Sequence, residues 1–477
     1  LRKEGILYGR RRRRKKEISF GVVQKNQKKD VEMKIRRLAA VWTSKLAGYV
    51  CKKMGKQGVT WAGKIALKIY PNILRELAGE VREGIFAVCG TNGKTTTNNL
   101  LCSVLEANGQ KVVCNHTGSN MLNGVVAAFV LKAKLNGHLD ADYACIEIDE
   151  ASTVRVFPYF KPDYMILTNL FRDQLDRYGE IDTTMELLAK AMGMAPHMKI
   201  LANADDSLSA FLALEQENPH AFYGISQQVI QEKDAREVRE GQFCKRCGEK
   251  MTYHFYHYSQ LGDYECPNCG FKRPAPDYDA SHVSLTDRLS FQVGEDTIKA
   301  NYRGFYNVYN ILAVYGAASM AKIPLSQFNR ILGNYTPQFG RNELFEINGT
   351  KVLLNLAKNP AGFNQNISAV MTDHTPKDII ILINDNSQDG IDVSWLWDVD
   401  FDRLQDANAA SITVCGKRCR DMQLRLKYVD ISSDLEPDIE NAITSKLQNG
   451  TKNLYVLVNY TGLYSTHNIL KKLEGKK

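Results

Sequence analysis

Residues 90–96 read Gly-Thr-Asn-Gly-Lys-Thr-Thr, a combination suited to holding a chain of phosphates. Glycines let backbone N–H groups close on an anion, and a helix starting at the lysine adds the favourable end of its dipole. In such a loop Gly90, Thr91, Asn92, Gly93 and Thr96 form the cradle, the Lys94 ammonium pairs with the β- and γ-phosphates of a nucleotide, and the Thr95 hydroxyl ligates Mg2+. The spacing departs from the common G-x-x-x-x-G-K-[ST] form, because Val88 stands where the first glycine would be. The bland reading of the same residues is a Gly-Lys turn between two core elements. A second signal is Cys244-x2-Cys247, 18 residues, then Cys266-x2-Cys269. Glycine follows each pair and permits the tight knuckle that aims both thiolates at one ion. Four thiolates close a tetrahedral shell, so the spacing predicts a structural zinc ion; unrelated thiols or two disulfides are the alternatives. Third, Glu147 closes an apolar run, with Asp149 and Glu150 beside it. A carboxylate at a strand end next to a phosphate loop is placed to hold Mg2+, although acids also terminate strands for no chemical reason.

Elements must bring these groups together. Ile85 to Cys89 has the length and apolarity of a buried parallel strand, and Leu100, Leu101, Val104 and Leu105 share one face of the helix after the loop. Residues 81–230 alternate such strands (near 111–114, 143–148, 164–168, 199–202 and 221–223) with helical stretches, including one near Leu122 to Lys132. That alternation predicts an α/β fold with a parallel sheet covered on both faces, and ligands then collect at the carboxyl ends of its strands. Lys94 and Glu147 fall at such ends. Residues 278–300 read as strands returning to this sheet, and a helix opens at Phe305 to Asn310 and runs through Ala318. From about Asn342, apolar strands at 351–355, 378–383, 411–414 and 453–458 form a second, smaller α/β unit. Near the N-terminus Ile35, Leu38, Trp42, Leu46, Tyr49 and Val50 recur at helical spacing beside Arg36, Arg37, Lys45, Lys52 and Lys53. Such a helix suits packing on the next domain or lying on a membrane surface.

With 477 residues, two or three domains are expected. The 11 cysteines are scattered apart from the set of four, which excludes a secreted disulfide framework and suggests a reducing cytosol. No run of about 18 apolar residues is present to span a membrane. Residues 1–32 hold 12 Lys and Arg against 4 Asp and Glu, and the rest holds 50 against 49. The body is therefore nearly neutral, which argues against a nucleic-acid partner. The chain begins with Leu1 and Met33 reads as a natural start, so the basic stretch 1–32 is expected to be upstream sequence or a disordered arm outside the fold. The expected division is 33–80 helical, 81–341 central with the cysteine module at 243–273, and 342–477 C-terminal.

GTNGKTT at 90–96 resembles the ATP loop of the Mur ligases, which make peptide bonds on peptidoglycan precursors. Thr168-Asn169-Leu170 followed by Asp173-Gln174-Leu175-Asp176 resembles a second motif of that family. Gln174 replaces the histidine of many members, and an amide oxygen is a poorer ligand for divalent ions. The four-cysteine insertion, absent from most Mur ligases, and DGIDVSW at 389–395 narrow the resemblance to MurT-type subunits of lipid II isoglutaminyl synthase. The resemblance covers Met33 to the C-terminus. It implies a Mur ligase-like central ATP-binding parallel-sheet domain with a zinc-ribbon insertion, plus a smaller C-terminal α/β domain. It further implies Glu147 as Mg2+ ligand, Asn310 at the adenine ring, and Arg341 reaching a phosphate across the cleft as a two-pronged donor. Asp392 is implied to complete a Cys-His-Asp set whose other members come from a separate glutaminase, with Asp389 as the alternative. By residue type alone, Asp389-Gly390 is a turn and Asp392 a cap.

The activity so implied is ATP-dependent amidation of the D-glutamate α-carboxyl of lipid II through an acyl phosphate, with ammonia from a GatD-type glutaminase. Such a protein would be cytoplasmic, peripheral at the inner face of the membrane. No self-contained glutaminase is legible: Cys89, Cys102 and Cys145 sit in strand or helix patterns and read as core residues. A Mur-type or folylpolyglutamate-type ligase that adds an amino acid is the alternative of the same class. A zinc-ribbon nucleic-acid binder with an ATPase domain is the alternative of another.

Overall fold

The computed structural model describes residues 31–51, 53, 59–116, 118–172, 181–229, 240–285, 288–301, 304–335, 340 and 343–475. The basic stretch to residue 30, the Asp173 to Asp176 motif, Pro337 and Arg341 lie outside them.

The first sheet takes its parallel strands from β1 (Val81–Cys89), β2 (Val112–Cys114), β3 (Ala141–Glu147), β4 (Tyr164–Leu167), β5 (Lys199–Asn203) and β6 (His220–Gly224). A hairpin, β7 (Thr252–Tyr258) and β8 (Leu261–Glu265), stands apart, and β9 (Tyr278–Ser284), β10 (Leu289–Val293) and β11 (Asp296–Ala300) return to the sheet. The order is β11-β10-β9-β6-β5-β4-β1-β3-β2. It is parallel from β2 through β9 and antiparallel beyond. Residues 85–89 of β1 are buried, as the apolar run requires of a central strand covered on both faces. The helix Lys94–Ala107 buries Leu100, Leu101, Val104 and Leu105 against one face, beside the helix Tyr306–Met320. The helix Leu122–Lys132 covers the other face. A second sheet follows: β12 (Glu343–Ile347), β13 (Thr350–Leu356), β14 (Lys377–Leu382), β15 (Ala409–Cys415), β16 (Asp434–Leu435) and β17 (Asn453–Val458), ordered β12-β13-β17-β14-β15-β16. Only its β12–β13 pair is antiparallel.

The N-terminal helix, 31–51, packs on the next domain through one side and leaves the other exposed. Ala40, Val41 and Ser44 are fully buried, and the Ser44 hydroxyl donates to Ala62 O at 2.9 Å. Arg37 ties the helix to Glu80 at 2.7 Å and Glu76 at 3.3 Å. Yet Trp42, Leu46 and Tyr49 remain more than half exposed, at 56, 63 and 58%. Among the described residues no helix is long and apolar enough to cross a membrane.

The β7–β8 module is joined to the sheet by two buried acids just past β5. Asp205 takes the Arg273 guanidinium at 2.7 Å, the Tyr309 hydroxyl at 2.6 Å and the Ile225 N–H at 2.9 Å. His257, on β7, lies 2.6 Å from that same hydroxyl. Asp206 takes the Gln260 amide at 2.6 Å and the Leu170 N–H at 2.8 Å. Tyr253 and Tyr256 stack at 4.3 Å, and Tyr264 is buried with its hydroxyl on Ala204 O, so the tyrosines between the knuckles pack the module as expected.

Burial pushes the Asp205 carboxyl up, but the His257 hydrogen bond and the Arg273 charge hold it below the ordinary aspartate value. A depressed carboxyl stabilises the fold above its unfolded-state pKa, and that contribution disappears as pH falls through the folded value. Asp205→Asn leaves the buried guanidinium without its anion, so a loss of about 3–5 kcal/mol is expected. The gap between wild type and Asp205→Asn in urea midpoints should be full at neutral pH and shrink below about pH 4. A gap constant with pH would refute the assignment.

Candidate nucleotide and metal site

The loop between β1 and the helix Lys94–Ala107 turns on two glycines in the left-handed region, Gly90 at φ 117° and Gly93 at φ 86°. A Cβ on Gly90 would stand 2.2 Å from Thr168 Oγ1, and one on Gly93 2.2 Å from Asn310 Oδ1, so both are required by contact as well as by dihedral. The Thr168-Asn169 segment after β4 clamps the loop. Thr91 N–H donates to Asn169 O at 2.7 Å, Asn92 N–H to Asn169 Oδ1 at 2.9 Å, and the Thr168 hydroxyl to Asn92 O at 2.7 Å. Thus the second motif sets the shape of the first.

Lys94 is buried and held within the loop. Its ammonium donates to the Gly90 carbonyl, to Thr91 O at 3.3 Å and to Glu150 Oε1 at 2.8 Å. Glu150 Oε1 also accepts the Gly90 N–H at 2.8 Å. Burial alone would lower the Lys94 pKa, but Glu150, Glu147 and Asp149 together raise it, and the side chain stays an ammonium. Asn310 is buried on its helix, with Oδ1 against Gly93 and Nδ2 donating to Asn307 Oδ1 at 3.1 Å.

Glu147, the last residue of β3, is 2% exposed and its Oε2 has no hydrogen-bond partner among the described residues. Its Oε1 accepts from Asn120 Nδ2 at 3.0 Å, and Asn115 brackets its backbone, accepting the N–H at 2.9 Å and donating to the carbonyl at 2.8 Å. Gly118, at φ 71°, faces the gap between Glu147 and Thr95. A Cβ there would lie 3.5 Å from Thr95 Oγ1 and 3.7 Å from Glu147 Oε2. An unpaired buried carboxylate oxygen, a hydroxyl and a residue without a side chain between them fit a hard divalent cation with oxygen ligands. Three buried carboxyl groups also face one ammonium here, a formal imbalance that a Mg2+ ion would relieve. Thr95 and Glu147 would hold it, and it would neutralise charge on nucleotide phosphates.

The second sheet contributes from the far side. Asn359 caps the helix Pro360–Met371, and its Nδ2 donates to Asn92 Oδ1 in the phosphate loop at 3.2 Å. Arg172 pairs with Asp398 at 3.3 Å. Further out in that unit, Asp392 is exposed. Its two oxygens accept from Ser394 N–H at 2.8 Å and Ser394 Oγ at 2.9 Å, contacts that lower its pKa. Asp389 is 4% exposed and accepts both the N–H and the hydroxyl of Thr461.

The four cysteines of the module converge. Cys244 and Cys269 sulfurs are 3.5 Å apart, Cys247 and Cys266 3.4 Å, and all four lie within 4.8 Å of one another. Four thiols at that separation suit a tetrahedral zinc ion.

The sequence reading singled out Lys94, Thr95 and Glu147, which the fold brings together. It gave no separate role to Glu150, Gly118, Asn115, Asn120 or Asn359. Glu150, beside Glu147 in the same acidic run, and Asn359, in a loop just after a strand, carried a usable signal.

Because Glu147 Oε2 bonds to nothing among the described residues, Glu147→Gln should leave the melting temperature unchanged or higher. It should cut Mg2+-dependent nucleotide turnover by about 100-fold, the scale of losing one preorganised charge contact. Lys94→Met should cost about 3–5 kcal/mol by stranding the Glu150 charge. Adding Glu150→Gln should restore most of that stability and none of the nucleotide affinity. Recovery of affinity in the double variant, read by calorimetric titration with ATP, would disprove the role of Lys94.

Similarity to known proteins identifies the family. Residues 88–318 match the Mur ligase middle domain and residues 356–463 the MurT ligase C-terminal domain. The chain is 34% identical over 431 residues to the lipid II isoglutaminyl synthase (glutamine-hydrolyzing) subunit MurT of Staphylococcus aureus, covering 90% of this chain and 96% of that one. It is 32% identical over 443 residues to the subunit of the same name from Streptococcus pneumoniae, covering 92% and 98%. In fold it is similar to a pseudomurein peptide ligase type C from Methanothermus fervidus, with TM-score 0.65 at 23% identity over 83% of this chain and 80% of that one. It is likewise similar to MurF ligase from Thermotoga maritima in complex with ADP, with TM-score 0.57 at 14% identity over 88% and 85%. A phosphate loop clamped by a Thr-Asn segment, an acidic strand end and a four-thiol insertion thus stand in a chain that belongs to the MurT family of Mur-type ligases.

Proposed function

We propose that this chain is the synthetase subunit of a lipid II isoglutaminyl synthase, amidating the α-carboxyl of D-glutamate in the lipid II stem peptide during peptidoglycan synthesis. The observation that carries the reading is the convergence of Lys94, Thr95 and Glu147 beside a loop that Asn359 of the second sheet also touches. ATP phosphorylates the substrate carboxylate, ammonia attacks the acyl phosphate, and isoglutamine, ADP and phosphate leave. Lys94 and Arg341 are assigned to charge on the transferring phosphoryl group, and Asn310, beside Gly93, to the adenine. Closure of the second unit on the loop excludes water, which otherwise hydrolyses the acyl phosphate.

Ammonia comes from a glutaminase partner of the GatD type, docked where Asp392 lies. An exposed carboxylate held by a neighbouring Ser394 turn is ready to orient an incoming histidine. Ile391, Trp397 and Tyr428 are exposed at 66, 51 and 70%, with the last two rings 5.0 Å apart, and supply an apolar surface for a partner. The lipid-linked substrate is met at the membrane face by the helix 31–51, whose exposed Trp42, Leu46 and Tyr49 lie with the Lys53 ammonium, 5.3 Å from the Tyr49 ring.

Alone, the chain should amidate lipid II with ammonium and not with glutamine; with its partner it should use both. Asp392→Asn in the complex should abolish the glutamine-dependent rate and spare the ammonium-dependent one. Glutamine use by the chain alone, or amino-acid addition in place of ammonia, would overturn the reading. Replacing Trp42, Leu46 and Tyr49 by serine should release the protein from vesicles of anionic phospholipid in a flotation assay without changing turnover of a soluble substrate analogue. Equal flotation of the triple variant would remove the membrane contact from the account.

A further inference from the structure

Cys102, Cys114 and His116 meet at the β2 edge of the first sheet, while the four-cysteine module is inserted between β6 and β9, across the sheet from it. Cys102 lies in the phosphate-loop helix, Cys114 ends β2, and His116 follows in the next loop. Their two sulfurs and an imidazole nitrogen lie within 4.8 Å of one another. Cys102 shares hydrogen bonds with both partners. Cys102 is buried, Cys114 half-buried and His116 exposed, so two soft donors sit inside with an imidazole at the mouth.

Amides surround the cluster. Asn98 Nδ2 donates to Cys114 Sγ at 3.2 Å, and Asn98 Oδ1 is buried with no partner. Asn99 Oδ1 lies 3.2 Å from His116 Nδ1, and Asn99 Nδ2 donates to His116 O at 3.2 Å. The Asn99 amide beside Nδ1 orients the imidazole, as an outer amide or carboxylate does for a ligating histidine. Two thiols and an imidazole select a borderline or soft ion over Mg2+.

We infer that Cys102, Cys114 and His116 form a second zinc site, separate from the four-cysteine module, with a fourth position open to water or another small ligand. Binding would displace the thiol protons and join the β2 loop to the phosphate-loop helix. The same loop carries Asn115 and Asn120, which hold Glu147, and Gly118, which faces Thr95. The ion would therefore brace one wall of the nucleotide site.

The test is zinc content of the full chain by mass spectrometry after equilibration with Zn2+ and gel filtration. Two ions per chain are expected in the wild type, and one in His116→Ala and in Cys114→Ser. His116 is exposed, so its replacement leaves the core intact. Zinc should also slow iodoacetamide labelling of Cys102 and Cys114 in the wild type and fail to do so in His116→Ala. One ion in the wild type with the four-cysteine module filled would overturn the inference. So would two ions in both variants, or a Cys102–Cys114 disulfide, seen as a mass lower by two hydrogens, in place of the second ion.

Discussion

Everything at the nucleotide site depends on keeping one ammonium charged inside the protein. Burial disfavours the charged lysine, and an unpaired buried charge is among the costliest features a fold can carry. Glu150 meets that demand with a single oxygen that also takes the Gly90 N–H, so one carboxylate orders both the lysine and the first turn of its loop. The acid must sit just past the end of β3, and β3 must neighbour β1. The sheet order supplies this, pairing Val88 with Glu147 in parallel register. An incoming nucleotide then meets a cradle already formed and a cation already desolvated, which is where preorganised electrostatics contributes most.

The same logic recurs at the other end of the site. Asp205 and Asp206 lie just past β5, at the strand end where a ligand would be expected in a fold of this class. Here both are consumed by structure. One takes Arg273 and Tyr309, the other Gln260 and the Leu170 N–H. The inserted module is thereby fastened to the segment Thr168 to Phe171, whose first two residues clamp the phosphate loop. A four-cysteine insertion that looks peripheral in the chain thus supports the loop from behind.

How much of this the sequence revealed follows from the range of each contact. The phosphate loop was legible because its strand, glycines and lysine are contiguous, and the four-cysteine module because two knuckles of fixed spacing are a local pattern. That the sheet is parallel followed from strand-helix alternation, but its strand order did not. Glu150 on Gly90 and Asn359 on Asn92 were not legible as contacts. They span 60 and 267 residues, and nothing in an isolated Asn or Glu names its partner. Gly118 was hidden for another reason. A glycine in a loop reads as a turn, and only the fold shows that its missing side chain leaves room between Thr95 and Glu147. The acidic run at 147–150 was read for its metal ligand alone, whereas its members divide the work. Glu147 keeps an oxygen unpaired, and Glu150 gives its own to the lysine.

The loop at 389–395 illustrates how burial separates two acids that the chain presents as equals. Asp389 is enclosed, and its carboxylate is spent on the N–H and hydroxyl of Thr461, so it fastens the loop to the start of the helix Tyr460–Glu474. Burial also raises its pKa. An acid so placed would have to give up two hydrogen bonds before orienting a base on another protein. Asp392 is exposed, and its carboxylate accepts from the N–H and hydroxyl of Ser394 in the same turn. A carboxylate that completes a catalytic set across an interface must be exposed in the separate subunit and aimed by local contacts alone, because its partner arrives later. Of the two, only Asp392 is exposed, while Asp389 is spent on Thr461.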